Sequence, residues 1–106
     1  MAVPRHLKRT VRARVLADRA FGDQLLRDGV ELMLSGDVEL GKSILRDYIK
    51  ATVGFEQLGA ETGSSAKSLI RMFGPRGNPQ SRNLFAVISC LQRKAGLTLQ
   101  VTARPQ

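Results

Sequence analysis

The chain has 106 residues and a formal net charge of +8, from 17 basic and 9 acidic side chains, with 42% hydrophobic residues; that length fits one compact domain with a buried core. One cysteine and one histidine exclude an internal disulfide and leave no ligand set for zinc or haem, so no cofactor or metal site is expected. His6 lies in a basic N-terminal segment, away from any candidate nucleophile; the parts of a hydrolytic triad are missing and an enzyme is not expected.

Residues 1–17 contain Arg5, Lys8, Arg9, Arg12 and Arg14 and no acid. They read either as a loose basic arm or as a first helix from Lys8 to Ala17 with frayed termini. From Arg19 to Ser35, Phe21, Leu25, Leu32 and Met33 fall near one helical face, and Asp23, Arg27, Asp28 and Glu31 occupy the other, which predicts an amphipathic helix. Gly36 suits a left-handed cap, and Asp37 can accept from the free N–H groups of the turn that follows. The next helix, Val38 to about Thr52, has the cleanest period, with Gly41, Ile44, Leu45, Tyr48 and Ile49 on one face. Val53-Gly54 breaks it. Phe55 to Thr62 is a short helix with Phe55, Leu58 and Gly59 inward, ended by Gly63. Ser64 or Ser65 then caps a second short helix that carries Ala66, Leu69, Ile70, Met72 and Phe73. Gly74 to Gln80 holds two glycines and two prolines and must be a loop. Ser81 opens a last helix with Leu84, Phe85, Ile88, Leu91 and Ala95 as its core stripe, closed by Gly96. Cys90 falls near that stripe and reads as a buried thiol.

Beyond Gly96 the pattern alternates, with Leu97, Leu99 and Val101 on one side and Thr98, Gln100 and Thr102 on the other. This is the period of a strand. One strand cannot satisfy its own backbone, and the chain offers no convincing second one, so the partner strand is expected from another copy. The expected architecture is all-α: a single helical domain over residues 18–106, with five to six helices, a helix-turn-helix at about 55–73 and a short C-terminal β-strand at about 97–102 pairing between the subunits of a homodimer.

Charge is laid out unevenly along this plan. All nine acids lie between Asp18 and Glu61, while residues 63–106 carry Lys67, Arg71, Arg76, Arg82, Arg93, Lys94 and Arg104 without one. An acid-free stretch rich in apolar residues belongs to a folded surface, and its natural partner is a polyanion. No run approaches the roughly 18 consecutive apolar residues of a membrane helix, and no apolar signal core follows the basic start. A soluble, cytoplasmic, nucleoid-associated protein with no membrane partner is expected.

Gly54 to Phe73 has helix-turn-helix grammar. Gly59 supplies the small residue where the two helices cross, Gly63 the turn, and Leu69, Met72 and Phe73 the anchors of the second helix. If Ser65 to Phe73 is a recognition helix, Ser65, Ala66, Lys67, Ser68 and Arg71 are its exposed candidates. Lys67 or Arg71 would donate to guanine O6 and N7, Ser68 to a base or phosphate, and the Ala66 methyl would meet a thymine methyl. Arg76 and Asn78, in the loop that follows, suit backbone phosphates. The bland alternative is that Lys67 and Arg71, at i and i+4, only solvate a helix face.

Residues 54–101, and above all SLIRMFGPRGNP followed by a helix and Gly-Leu-Thr-Leu-Gln-Val, resemble the Cro/repressor-type helix-turn-helix of addiction-module antidote proteins and related small bacterial transcriptional regulators. The resemblance implies a five-helix DNA-binding domain, a homodimer on a palindromic double-stranded operator and, in many members, control of their own promoter beside a ribonuclease toxin. Many members carry a phosphate-contacting glutamine at the start of the first motif helix. Phe55 stands there instead, so that contact is not carried over. The N-terminal 35 residues exceed what such a domain needs and leave room for a further dimer or partner surface. Two other classes stay open: an antitoxin or interaction module that sequesters a basic toxin through residues 18–62, with DNA binding secondary, and non-specific RNA binding through the arm.

Overall fold

The computed structural model describes residues 5–106, with side chains from Val11 onward. Among the described residues six helices follow one another: α1 (Arg5–Ala17), α2 (Arg19–Leu34), α3 (Val38–Ala51), α4 (Phe55–Thr62), α5 (Ala66–Met72) and α6 (Ser81–Ala95). The fold is all-α. Residues 1–4 of the predicted basic segment, and the side chains of Arg5, His6, Lys8 and Arg9, lie outside the described residues. None of the helices is long and apolar enough to cross a membrane among the described residues.

The boundaries follow from local chemistry. The Asp18 carboxylate accepts from the N–H groups of Ala20 and Phe21 at 3.0 and 3.3 Å, satisfying two donors that the first turn of α2 leaves free. At its other end the Asp37 N–H donates to the Leu32 carbonyl and the Gly36 N–H to that of Met33, the paired closure that a left-handed residue permits. Asp37 then caps α3 by accepting from Leu40 N–H at 3.4 Å.

Leu26, Leu45, Tyr48, Ile49, Phe55, Leu58, Leu69, Phe73, Val87, Cys90 and Leu91 form one buried cluster drawn from α2 to α6, and Val15 adds a buried contact from α1. Two expected stripes are corrected in part. On α2 Leu25 and Met33 do pack against the core, half-buried, but the fully buried positions are Gly22, Leu26 and Gly29, because the two glycines let neighbouring side chains come close. Phe21 is only half-buried, beneath the Arg14 guanidinium at 4.2 Å. On α6 the core side is Val87, Ile88, Cys90 and Leu91, flanked by Leu84 and Ala95. Phe85, expected in that stripe, is 63% exposed, since one residue beyond Leu84 turns it roughly 100° around the helix.

Residues 97–106 carry neither helix nor strand. Gln92 satisfies part of their backbone: its carbonyl accepts from Leu97 N–H at 3.1 Å, and its side-chain oxygen from Leu99 N–H at 2.7 Å. Leu97 and Leu99 pack against the core, whereas Thr98 and Gln100 are exposed; the expected alternation thus holds from Leu97 to Gln100 without a strand, and fails at Val101, which is 84% exposed instead of lying with Leu97 and Leu99.

Candidate nucleic-acid interface

Helices α4 and α5 are clasped at both ends. Phe55, at the start of α4, meets Phe73, just past α5, with ring centroids 6.4 Å apart and planes tilted by 51°. Leu58 and Leu69 are buried between them. At the turn, a Cβ on Gly59 would stand 2.5 Å from the Ser64 carbonyl oxygen, so only glycine fits where the chain doubles back. Gly63 takes φ 76°, in the left-handed region that favours glycine, and the Ser64 N–H closes onto the Gly59 carbonyl at 3.1 Å.

Ser65 caps α5: its hydroxyl accepts from Ser68 N–H at 3.0 Å and donates to the Ser68 hydroxyl at 2.9 Å. Its oxygen is therefore already engaged inside the protein. Lys67, Ser68 and Arg71 are exposed, as are Arg76 and Asn78 in the loop. Ala66 is corrected from the expected exposed set. It is half-buried and packs against the core, drawn in by the tight turn that brings its N–H next to Gly59. The apolar residue that α5 does present is Ile70, 49% exposed. Its place one residue past the anchor Leu69 was the signal in the sequence for it.

Ser68, Arg71, Arg76 and Asn78 line one cleft of about 310 Å³, together with Gln80 and Asn83 at the start of α6. Gln80 and Asn83 carry no sequence signal for this; the loop from Gly74 brings them in. Lys67 stands outside the lining, on the same helix. Among the described residues Lys67, Arg71 and Arg76 take part in none of the ion pairs. Glu61, the last acid in the sequence, is held away at α6, where Lys94 reaches its carboxylate at 2.6 Å and the Cys90 thiol donates to it at 3.5 Å. The Lys94 hydrogen bond keeps the Glu61 carboxyl below its usual range. Burial first, then the bond to Glu61, pushes the Cys90 thiol up, which suits a thiol kept protonated.

Lys42 on α3, which the sequence does not single out, supports the site from inside the protein. Its side chain is 1% exposed, and its ammonium donates to the carbonyls of Gly74 at 3.0 Å and Gly77 at 2.7 Å and pairs with Glu39 at 2.9 Å. Its phase, three residues before Leu45 and seven before Ile49, places it on the buried face.

No family model, no curated protein and no solved structure matches the chain. Sequence and structure together define an all-helical protein in which a short, tightly turned helix pair sits beside a cationic cleft.

Proposed function

We propose that the chain is a sequence-specific double-stranded-DNA-binding regulator, antitoxin-like and repressing, that works as a cytoplasmic, nucleoid-associated homodimer. The helix-turn-helix is α4–α5, with α5 in the major groove. Arg71 and Lys67 read guanine edges, Ser68 bonds a base or phosphate, Ile70 takes the apolar contact with a thymine methyl, and Arg76 and Asn78 hold the backbone. Two copies related by a two-fold axis place their recognition helices about 34 Å apart on a palindromic site. The residues from Leu97 to Val101, which form no strand alone, pair antiparallel across that axis. The observation that carries this proposal is the convergence of Ser68, Arg71, Arg76 and Asn78 on one cleft in a half of the chain that contains no acid.

Selection of bound sequences from random duplex DNA at a stated salt concentration tests it directly. A palindromic consensus is expected, and the double substitution Lys67→Glu, Arg71→Glu should abolish binding to it. Recovery of no preferred sequence, or unchanged affinity in the doubly substituted chain, would overturn the assignment.

A second function, capture of a protein partner such as a basic toxin, is favoured by one feature. Leu34, Val38 and Leu40 are all exposed around the α2–α3 turn, within the acidic part of the chain. The same charge reversal should leave such capture intact.

A further inference from the structure

A buried ammonium is expensive unless every proton finds an acceptor, since removing it from water forfeits its hydration. Lys42 meets that condition with Gly74 O, Gly77 O and Glu39 Oε1 as its three acceptors, matching its three donors. A leucine or methionine would fill the same core position on α3 without that requirement, so the cation belongs to the loop it reaches. The two carbonyls flank Pro75 and Arg76, the start of the segment that also carries Asn78. The same loop is also pinned through its own backbone. The Gly77 N–H donates to the Gly74 carbonyl at 3.0 Å and the Gly74 N–H to that of Arg71 at 3.1 Å, and Gly77 lies so close to the Arg71 and Met72 carbonyls that any Cβ there would collide with them. The ammonium thus also stands near the carbonyl end of α5, where a positive charge is favoured.

We infer that Lys42 is a positioning residue for the proposed DNA interface: through Gly74 and Gly77 it fixes the loop that aims Arg76 and Asn78, while remaining out of reach of any ligand itself. This rests on the DNA-binding proposal for its consequence, but the staple can be read without DNA.

Lys42→Met retains length and apolar bulk and removes all three bonds. In the full chain, exchange of the Gly74 and Gly77 amides, the loop N–H groups that are hydrogen-bonded, is expected to speed up at least tenfold while the amides of α3 and α6 keep their protection. Should that variant fail to fold, the unsubstituted protein still decides: the Lys42 ammonium should give a resolved, slowly exchanging nitrogen signal, whereas surface lysines exchange too fast to be seen. Unchanged loop protection in Lys42→Met, or a fast-exchanging Lys42 ammonium, overturns the staple whether or not the chain binds DNA. On the selected duplex, Arg76→Ala should weaken binding about tenfold, Lys42→Met at least as much because it also misaims Asn78, and the two together no more than Lys42→Met alone. Fully additive losses would remove the positioning role, and absence of duplex binding by the unsubstituted chain would remove the DNA proposal while leaving the staple standing on the exchange data.

Discussion

Gly59 and Ser64 approach so closely that a single Cβ cannot be placed between them: built on Gly59, it would lie 2.5 Å from the Ser64 carbonyl oxygen and 3.2 Å from the Ala66 nitrogen. Both obstacles are backbone, which cannot swing aside as a flexible side chain would. Alanine normally gains about 0.5–1 kcal/mol over glycine inside a helix, whereas overpacking a tight contact costs about 1–3 kcal/mol. Gly59→Ala is therefore expected to destabilise the chain by about 1–2 kcal/mol, read as a lower urea midpoint, and to weaken duplex binding by shifting α5. An unchanged or raised midpoint would mean that the turn relaxes freely.

The proposed division of labour between helix and loop has its own signature in salt dependence. Arg76→Ala should weaken binding to all duplex sequences alike and reduce the slope of log affinity against log salt by about 1, as expected for one lost phosphate contact. Arg71→Ala should instead relax the preference at one base position and cost about 1–3 kcal/mol on the preferred sequence. Titrations of preferred and scrambled duplexes at several salt concentrations separate the two, and identical behaviour of both variants would sink the separate roles.

The helices were legible because their signals are local. Gly36, Gly63 and Gly96 end elements wherever they stand, and Asp37 and Ser65 cap the next turn within three residues. Side-chain destinations that depend on a distant neighbour were less so. Phe85 lies at a core-compatible spacing from Ile88 but is exposed, because the centre of the α6 stripe is set by what α4 offers, not by α6 alone. Ala66 looks exposed by phase, yet the turn at Gly59 draws it inward. Lys42 reads as one more charge in an acidic stretch until the loop 32 residues further on supplies its acceptors. Of the site, Lys67, Ser68, Arg71, Arg76 and Asn78 were visible as residue types in a motif; that four of them share a cleft is a tertiary fact.

Acid should loosen the α4–α6 contact in a defined direction. The Lys94 hydrogen bond, with smaller help from Cys90 and Arg93, lowers the Glu61 pKa from an ordinary value of 4.5. A carboxylate whose folded pKa is depressed contributes stability in full above its unfolded value, and that contribution disappears as pH falls through the folded one. Glu61→Gln should accordingly melt below the unsubstituted chain at neutral pH, and the gap should close as the pH is lowered through the acid range. Melting curves that stay parallel down to the acid limit would show that the pair adds no pH-dependent stability.

The proposed dimer seam needs a test that leaves the single chain intact. Deleting residues after Gly96 is a poor one, because Leu97 and Leu99 pack against the core and their loss would unfold what it was meant to separate. Phe85 and Val101 do not have that problem: they are 63% and 84% exposed, so neither contributes much to the single chain. Gln92, which holds the Leu97 and Leu99 amides, brings the C-terminal segment back alongside α6, the helix that carries Phe85. Burying one such aromatic and one such aliphatic side chain per subunit is worth about 1.5–3 kcal/mol each, while a lysine there would instead have to be desolvated. On the proposed homodimer, Phe85→Lys with Val101→Lys is expected to give a monomer by sedimentation, with the thermal midpoint of the single chain nearly unchanged and duplex affinity reduced at least tenfold, since each half-site is then bound alone. A doubly substituted chain that sediments as a dimer with full duplex affinity would place the seam elsewhere, the exposed leucines of the α2–α3 turn being the next surface to substitute.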